Sequence, residues 1–134
     1  MTQITFLPIL AAGIVSAIIG VIWYHPRVFG TAWMSLSGIT PEAVESGKRR
    51  MPAMAAIALL ASMLSAYVIG RVAVGMGVYD VVGAMRLGFW LWIGFVAPAM
   101  LGIVLWEQKP VKLYLINALY WLVAIVVMAA ILLL

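Results

Sequence analysis

Apolar side chains run almost unbroken through four stretches of the chain, roughly Phe6 to Tyr24, Pro52 to Val74, Val81 to Leu105 and Val111 to Leu134. Each is near or above the ~20 residues that an α-helix needs to cross ~30 Å of hydrocarbon. Lipid offers the backbone no hydrogen-bond partner, so a spanning segment must be a helix or part of a closed barrel. The runs lack the period-two alternation of a barrel strand, which selects helices. The pattern predicts an all-α integral membrane fold, a four-transmembrane-helix bundle. No linker or low-complexity tract interrupts it, so residues 1–134 read as a single four-helix transmembrane domain.

Polar residues gather in one long connection, His25 to Met51. There Val28, Phe29, Ala32, Trp33 and Leu36 form an apolar stripe opposite Arg27, Thr31 and Ser35, predicting a short interfacial helix that Gly30 should weaken. A second short helix is signalled by Thr40 as N-cap, Pro41 at its first position, Glu42 and Glu45 near the positive dipole end, and Gly47 as a stop.

Composition narrows the class further. The chain is 67% hydrophobic and 9% charged, with mean hydropathy +1.21, whereas soluble domains carry about 25% charged residues. The net charge of +4 does not point to nucleic acid, because the few basic residues sit at helix ends. Arg27, Lys48, Arg49, Arg50, Lys109 and Lys112 place six of the eight basic residues in loops one and three. The positive-inside rule then predicts a multi-pass membrane protein with those loops cytoplasmic and both termini outside. Met1 to Ile9 has no Lys or Arg to serve as a signal n-region, so the first helix is expected to be retained. Cysteine is absent, which removes disulfides and thiolate chemistry. No cofactor and no metal site is expected. The methionines are scattered over all four helices, which suits gap filling better than copper binding.

Helices in lipid associate through close packing and interhelical hydrogen bonds, so small residues mark contact faces. Ala58, Ser62, Ala66 and Gly70 recur every four residues in the second span, and Gly94, Pro98 and Gly102 in the third. Both stripes are expected to be interior seams. Pro98 should kink its helix and free the carbonyl of Gly94, a natural partner for the Asn117 amide. A faint match between Gly20, Trp23, Pro26 and Gly102, Trp106, Pro110 is too weak to establish a repeat.

The densest local signal is Trp23 to Met34, which carries Trp23, Tyr24, His25, Phe29 and Trp33 where the first helix leaves the membrane. An interfacial aromatic belt is the simplest account; a pocket folded under the bundle is the functional one, with His25 its only group titrating near neutrality. Asn117 lies about 10 Å inside the last span, with Tyr120 on its face. Tyr120, Trp121, Trp90 and Trp92 concentrate aromatics near the midplane, away from the water that usually satisfies their polar atoms. Glu107 could pair with Arg27 or His25, and Arg86 with Asp80 or the face of Trp90.

The pattern Gly-x-x-Trp-Tyr-x-Pro-x-x-Phe-Gly-x-x-Trp-Met, Gly20 to Met34, resembles the family catalogued as domain of unknown function 1761. So do Trp92 to Phe95, Glu107 with Pro110, and Asn117 with Tyr120, covering nearly the whole chain. The resemblance implies a small bacterial protein with four membrane helices, placed in the bacterial cytoplasmic (inner) membrane. It implies no activity and no catalytic residues.

One His, four acids and no intramembrane carboxylate make a poor basis for catalysis, and the chain is expected not to be an enzyme. The small multidrug exporters also have four helices, but they carry a Glu in the first, where this chain offers only Ser16 as a polar group. The preferred expectation is a bilayer-embedded protein binding an apolar or amphipathic small molecule or lipid through Trp23, Tyr24, His25, Phe29, Trp33, Trp90, Trp92, Asn117 and Tyr120. An oligomeric small-solute transporter or channel, and a scaffold for another membrane protein, are the alternatives. Self-association into a homo-oligomer through the small-residue faces is also expected.

Overall fold

A computed structural model describes residues 5–134; Met1 to Ile4, the start of the segment read for a leader, lie outside it. Four helical passages are long and apolar enough to cross a membrane, and no strand occurs among the described residues. The first is α1 (Phe6–Trp23). A single π-turn (Pro26–Gly30) leads into α2 (Thr31–Ser37), which ends on Gly38 in the left-handed region, φ 73°. Then come α3 (Pro41–Gly47), a 3-10 turn (Lys48–Arg50) and α4 (Met51–Gly75). The third passage is segmented into α5 (Val81–Leu91), a π-turn (Trp92–Val96), α6 (Ala97–Met100) and α7 (Gly102–Leu105). The fourth is α8 (Val111–Leu132).

Local chemistry explains most boundaries. Thr40 Oγ1 accepts from Ala43 N–H at 3.1 Å, and Asp80 Oδ2 accepts from Gly83 N–H at 3.1 Å, each an N-cap that satisfies one of the orphan donors of a helix start. Gly47 does not stop α3. Its φ of −81° and ψ of −15° stay in the right-handed helical region, as do those of Lys48 and Arg50, so the chain runs in helical conformation from Pro41 to Gly75. A glycine ends a helix by turning left-handed, and Gly47 does not.

The last helix is the hub. Helix α8 packs against α1 on one side and α5 on the other, α4 packs mainly on α1, and α4 and α5 barely touch although they are consecutive. The buried residues of α8 accordingly fall on more than one face: Leu113, Ile116, Ala118, Tyr120, Ala124, Ile125, Met128 and Ala129. Two indoles hold it from opposite flanks. Trp23 Nε1 donates to the Ile116 carbonyl at 2.9 Å and Trp92 Nε1 to the Ala118 carbonyl at 2.7 Å; two residues along a helix is about 200° of rotation. A carbonyl has two lone pairs, so each can serve the helix ladder and an indole together.

The third-passage seam differs from the predicted one. Gly94 and Pro98 lie on the exposed face, Gly102 is only partly covered, and a Cβ on Gly94 would meet nothing within 4 Å. Contact with α8 runs instead through Ala84, Leu87 and Gly88, where a Cβ on Gly88 would stand 3.2 Å from the Val126 Cα. The π-turn explains the shift, because an extra residue in one turn rotates everything after it out of register with a four-residue stripe. Near Pro98, Leu101 N–H donates to the Pro98 carbonyl at 3.2 Å, three residues back. The Ala97 carbonyl accepts from Tyr114 Oη at 2.7 Å. In α4, Ser62, Ala66 and Gly70 are buried, whereas Ala58 is exposed.

Candidate functional site

Two features stand out: a polar seam through the middle of the bundle and an open apolar groove beside it. The seam starts on α1, where Gly13, Ser16 and Gly20 share one face at helical spacing. A Cβ on Gly13 would meet Met63 Cγ at 2.7 Å, and one on Gly20 would meet the Tyr120 hydroxyl at 3.3 Å. That closeness brings three hydroxyls together. Ser16 Oγ lies 3.5 Å from Ser62 Oγ of α4 and 3.2 Å from Tyr120 Oη of α8, and Tyr120 Oη also donates to the Ser16 carbonyl at 3.0 Å. Ser16 is fully buried and Ser62 nearly so.

The seam continues toward loop one. Tyr24, just past α1, donates from Oη to Asn117 Oδ1 at 2.7 Å, so the Asn117 amide meets Tyr24 and not the Gly94 carbonyl. The Tyr24 ring centroid lies 5.6 Å from that of Tyr120 and 5.4 Å from that of Trp33. Trp23 contacts Phe29 at 4.8 Å and Tyr120 at 6.5 Å, and Tyr120 contacts Trp121 at 5.1 Å. The π-turn makes this possible by folding the chain back: Gly30 N–H donates to the His25 carbonyl at 2.9 Å, and a Cβ at Gly30 would stand 2.1 Å from the Tyr24 carbonyl oxygen.

The structure thus gathers Trp23, Tyr24, Phe29, Trp33, Asn117 and Tyr120 and leaves three predicted residues outside. Trp90 is 64% exposed, with Phe89 beside it. Trp92 is buried on the opposite flank of α8. His25 is exposed, its Nδ1 accepting from Arg27 N–H. Within this group Tyr24 bonds Asn117, Trp23 bonds the Ile116 carbonyl and Tyr120 bonds Ser16, and no buried side-chain nitrogen or oxygen lacks a partner among the described residues. The one ion pair among those residues joins Lys48 to Glu45 at 2.9 Å, so Glu107 pairs with neither Arg27 nor His25, and Arg86 does not pair with Asp80. The Asp80 carboxylate caps α5 instead.

Sequence reasoning overlooked the Ser16, Ser62 and Tyr120 junction. Its signal was the Gly13, Ser16, Gly20 face of α1, a small-residue stripe of the kind recognised in α4. It also overlooked the groove. Between α1 and α4, Ile14, Ala17, Ile18, Val21, Ile22, Ala55, Ala56 and Leu59 line a cleft of about 450 Å³. Every lining side chain is aliphatic, and the cleft occupies the loop-one half of both helices.

The chain belongs to the family described as Protein of unknown function (DUF1761), whose model matches residues 7–133. No curated protein and no solved structure matches it.

Proposed function

We propose that this member of the DUF1761 family is a non-enzymatic membrane protein that holds the hydrocarbon tail of an amphipathic molecule in the groove between α1 and α4. The observation that carries the proposal is the groove itself: about 450 Å³, within the ~300–1,000 Å³ of small-molecule sites. It is lined only by aliphatic side chains and adjoins a close-packed floor. That floor is the Gly13, Ser16 and Ser62 contact, which fixes the spacing of α1 and α4 at mid-span.

The aromatic cluster serves as a support rather than as the pocket. The Tyr24 hydroxyl is spent on Asn117 Oδ1 and the Tyr120 hydroxyl on Ser16, and a guest using either hydroxyl would have to break those bonds in a medium that offers few replacements. The same argument weighs against catalysis at the cluster. The proposal keeps the orientation expected from the charges, with loops one and three cytoplasmic in a bacterial inner membrane, supported by six of eight basic residues on that side.

The test is photocrosslinking in nanodiscs with a phospholipid that carries a diazirine in its tail. Labels are expected to concentrate on Val21, Ile22, Ala55 and Ala56, and Ala56→Trp should remove them. Labelling spread evenly over outward residues such as Val82 and Phe95 would overturn the proposal.

A further inference from the structure

The aromatic cluster leaves two donors unpaired. Tyr24 Oη donates to Asn117 Oδ1 at 2.7 Å, which fixes the amide and leaves its nitrogen on the other arm free to donate. Asn117 and Trp121 are both only partly covered, and neither Asn117 Nδ2 nor Trp121 Nε1 has an acceptor among the described residues. Because no buried side-chain nitrogen or oxygen lacks a partner among those residues, both nitrogens reach open surface. They stand one turn apart on one face of α8. That face lies between Ile116 and Tyr120 on the α1 flank and Ala118 and Ile125 on the flank of the third passage, all four buried. It is open because α4 stands off from it. From Met51 to Ala61 every residue of α4 is exposed except Leu59, α4 packs mainly on α1, and it barely touches α5.

Depth then sets the chemistry. The 18 residues of α1 rise about 27 Å, so all of them are needed to cross ~30 Å of hydrocarbon, and the end of α1 marks the loop-one boundary. Trp23 reaches the Ile116 carbonyl and Tyr24 reaches Asn117, which puts Asn117 at that boundary and Trp121 about 6 Å deeper. An N–H at that depth finds little water, and leaving it unpaired is costly. The carbonyls of membrane amphiphiles accept hydrogen bonds and cannot donate them, which complements two donors. We infer that the gap between α4 and the third passage admits a carbonyl-bearing amphiphile, a glycerolipid ester or a quinone, whose oxygens accept from Asn117 Nδ2 and Trp121 Nε1. This site is separate from the groove between α1 and α4, whose lining includes no residue of α8, and it does not rest on the tail-binding reading.

The experiment reads the contact inside the bilayer, because hydrogen bonds on a face open to exchanging lipid do not hold a molecule through release from the membrane. Asn117 is the only asparagine in the sequence, so isotope labelling of the asparagine side-chain nitrogen gives a single amide signal. The full chain is placed in diether phospholipid bilayers, which carry no carbonyl. These are titrated with either a diester phospholipid or a long-tailed benzoquinone, each isotopically labelled at its carbonyl carbons. Solid-state NMR should show transfer from Nδ2 to the labelled carbon, about 4 Å away across a hydrogen bond. Trp121→Phe keeps a ring and removes one donor, so it should raise the amount of ligand at half-maximal transfer about threefold.

Transfer from either ligand supports the site and names its source, an ester or a quinone. Transfer from neither, with the amide in contact with water protons alone, overturns the site. So does a half-maximal value that Trp121→Phe leaves unchanged. Ala56→Trp fills the groove between α1 and α4 and should leave the transfer intact. Loss of transfer in that variant would put the ligand in the groove and overturn the separate site, while the groove reading survives.

Discussion

Gly30→Ala separates two accounts of one glycine by the sign of its effect. If Gly30 merely weakens a short interfacial helix, alanine should stabilise the protein by about 0.8–1.0 kcal/mol, the ordinary helix-propensity difference. The structure requires the opposite. A Cβ at position 30 would lie 2.1 Å from the Tyr24 carbonyl oxygen, 2.8 Å from the His25 carbonyl carbon and 2.9 Å from its oxygen. All three are backbone atoms, so no side chain can swing aside. Relief means opening the π-turn and losing the bond from Gly30 N–H to the His25 carbonyl. Overpacking costs typically ~1–3 kcal/mol, and the lost bond adds about 1, giving a destabilisation of roughly 2–4 kcal/mol before any propensity gain. Opening the turn also moves Tyr24, so its contact with Asn117 should loosen. The assay is reversible unfolding in mixed detergent and SDS micelles followed by tryptophan fluorescence, with Gly47→Ala as the control. Nothing lies within 4 Å of a Cβ at Gly47, so that variant should be neutral or gain up to about 1 kcal/mol. A Gly30→Ala protein as stable as the wild type, or more so, would refute the reasoning.

Three further outcomes follow from the same geometry. In a double-mutant cycle, Tyr120→Phe and Ser16→Ala should be coupled by about 0.6 and at most ~1.7 kcal/mol, the range for hydrogen bonds in lipid; additive effects in the same micelle titration would argue against the Ser16 and Tyr120 contact. Trp92→Phe should cost a similar ~0.6–1.7 kcal/mol, because it removes the 2.7 Å bond to the Ala118 carbonyl and keeps the apolar ring; Trp90→Phe, on an exposed residue, should change stability by less than about 0.5 kcal/mol. The chain has no native cysteine, so single cysteines report sidedness directly: Ser46→Cys should label only from the cytoplasmic face and Met76→Cys only from the outer one, and the reverse result would invert the proposed orientation.

The membrane class and the four passages were legible because length and continuous apolarity alone decide whether a helix can cross lipid. Partners were harder to read. Asn117 plainly needed a hydrogen-bond partner, but the sequence offered a proline-freed carbonyl on the third passage. The structure supplies Tyr24, because the π-turn after α1 folds that ring under α8. The stripe of Gly94, Pro98 and Gly102 misled for a related reason: a second π-turn turns it outward and leaves Gly88 at the contact. A four-residue spacing assumes a regular helix, and π-turns carry no reliable single-sequence signature. Ser62, Ala66 and Gly70, on the unbroken α4, lie in the buried face. The groove was invisible for yet another reason. It is a space between Ala17 on one helix and Ala55 and Ala56 on another, and nothing in either segment alone marks the two as facing each other.

The claim that a tail occupies this groove is tested most directly by native mass spectrometry of the protein released from nanodiscs, comparing the wild type with Ala17→Trp and Ala56→Trp. The account predicts a discrete adduct of one amphipathic molecule on the wild type, lost in both variants while their helical content by circular dichroism is unchanged. A wild-type protein that emerges bare, or an adduct that persists when either tryptophan fills the groove, would contradict it.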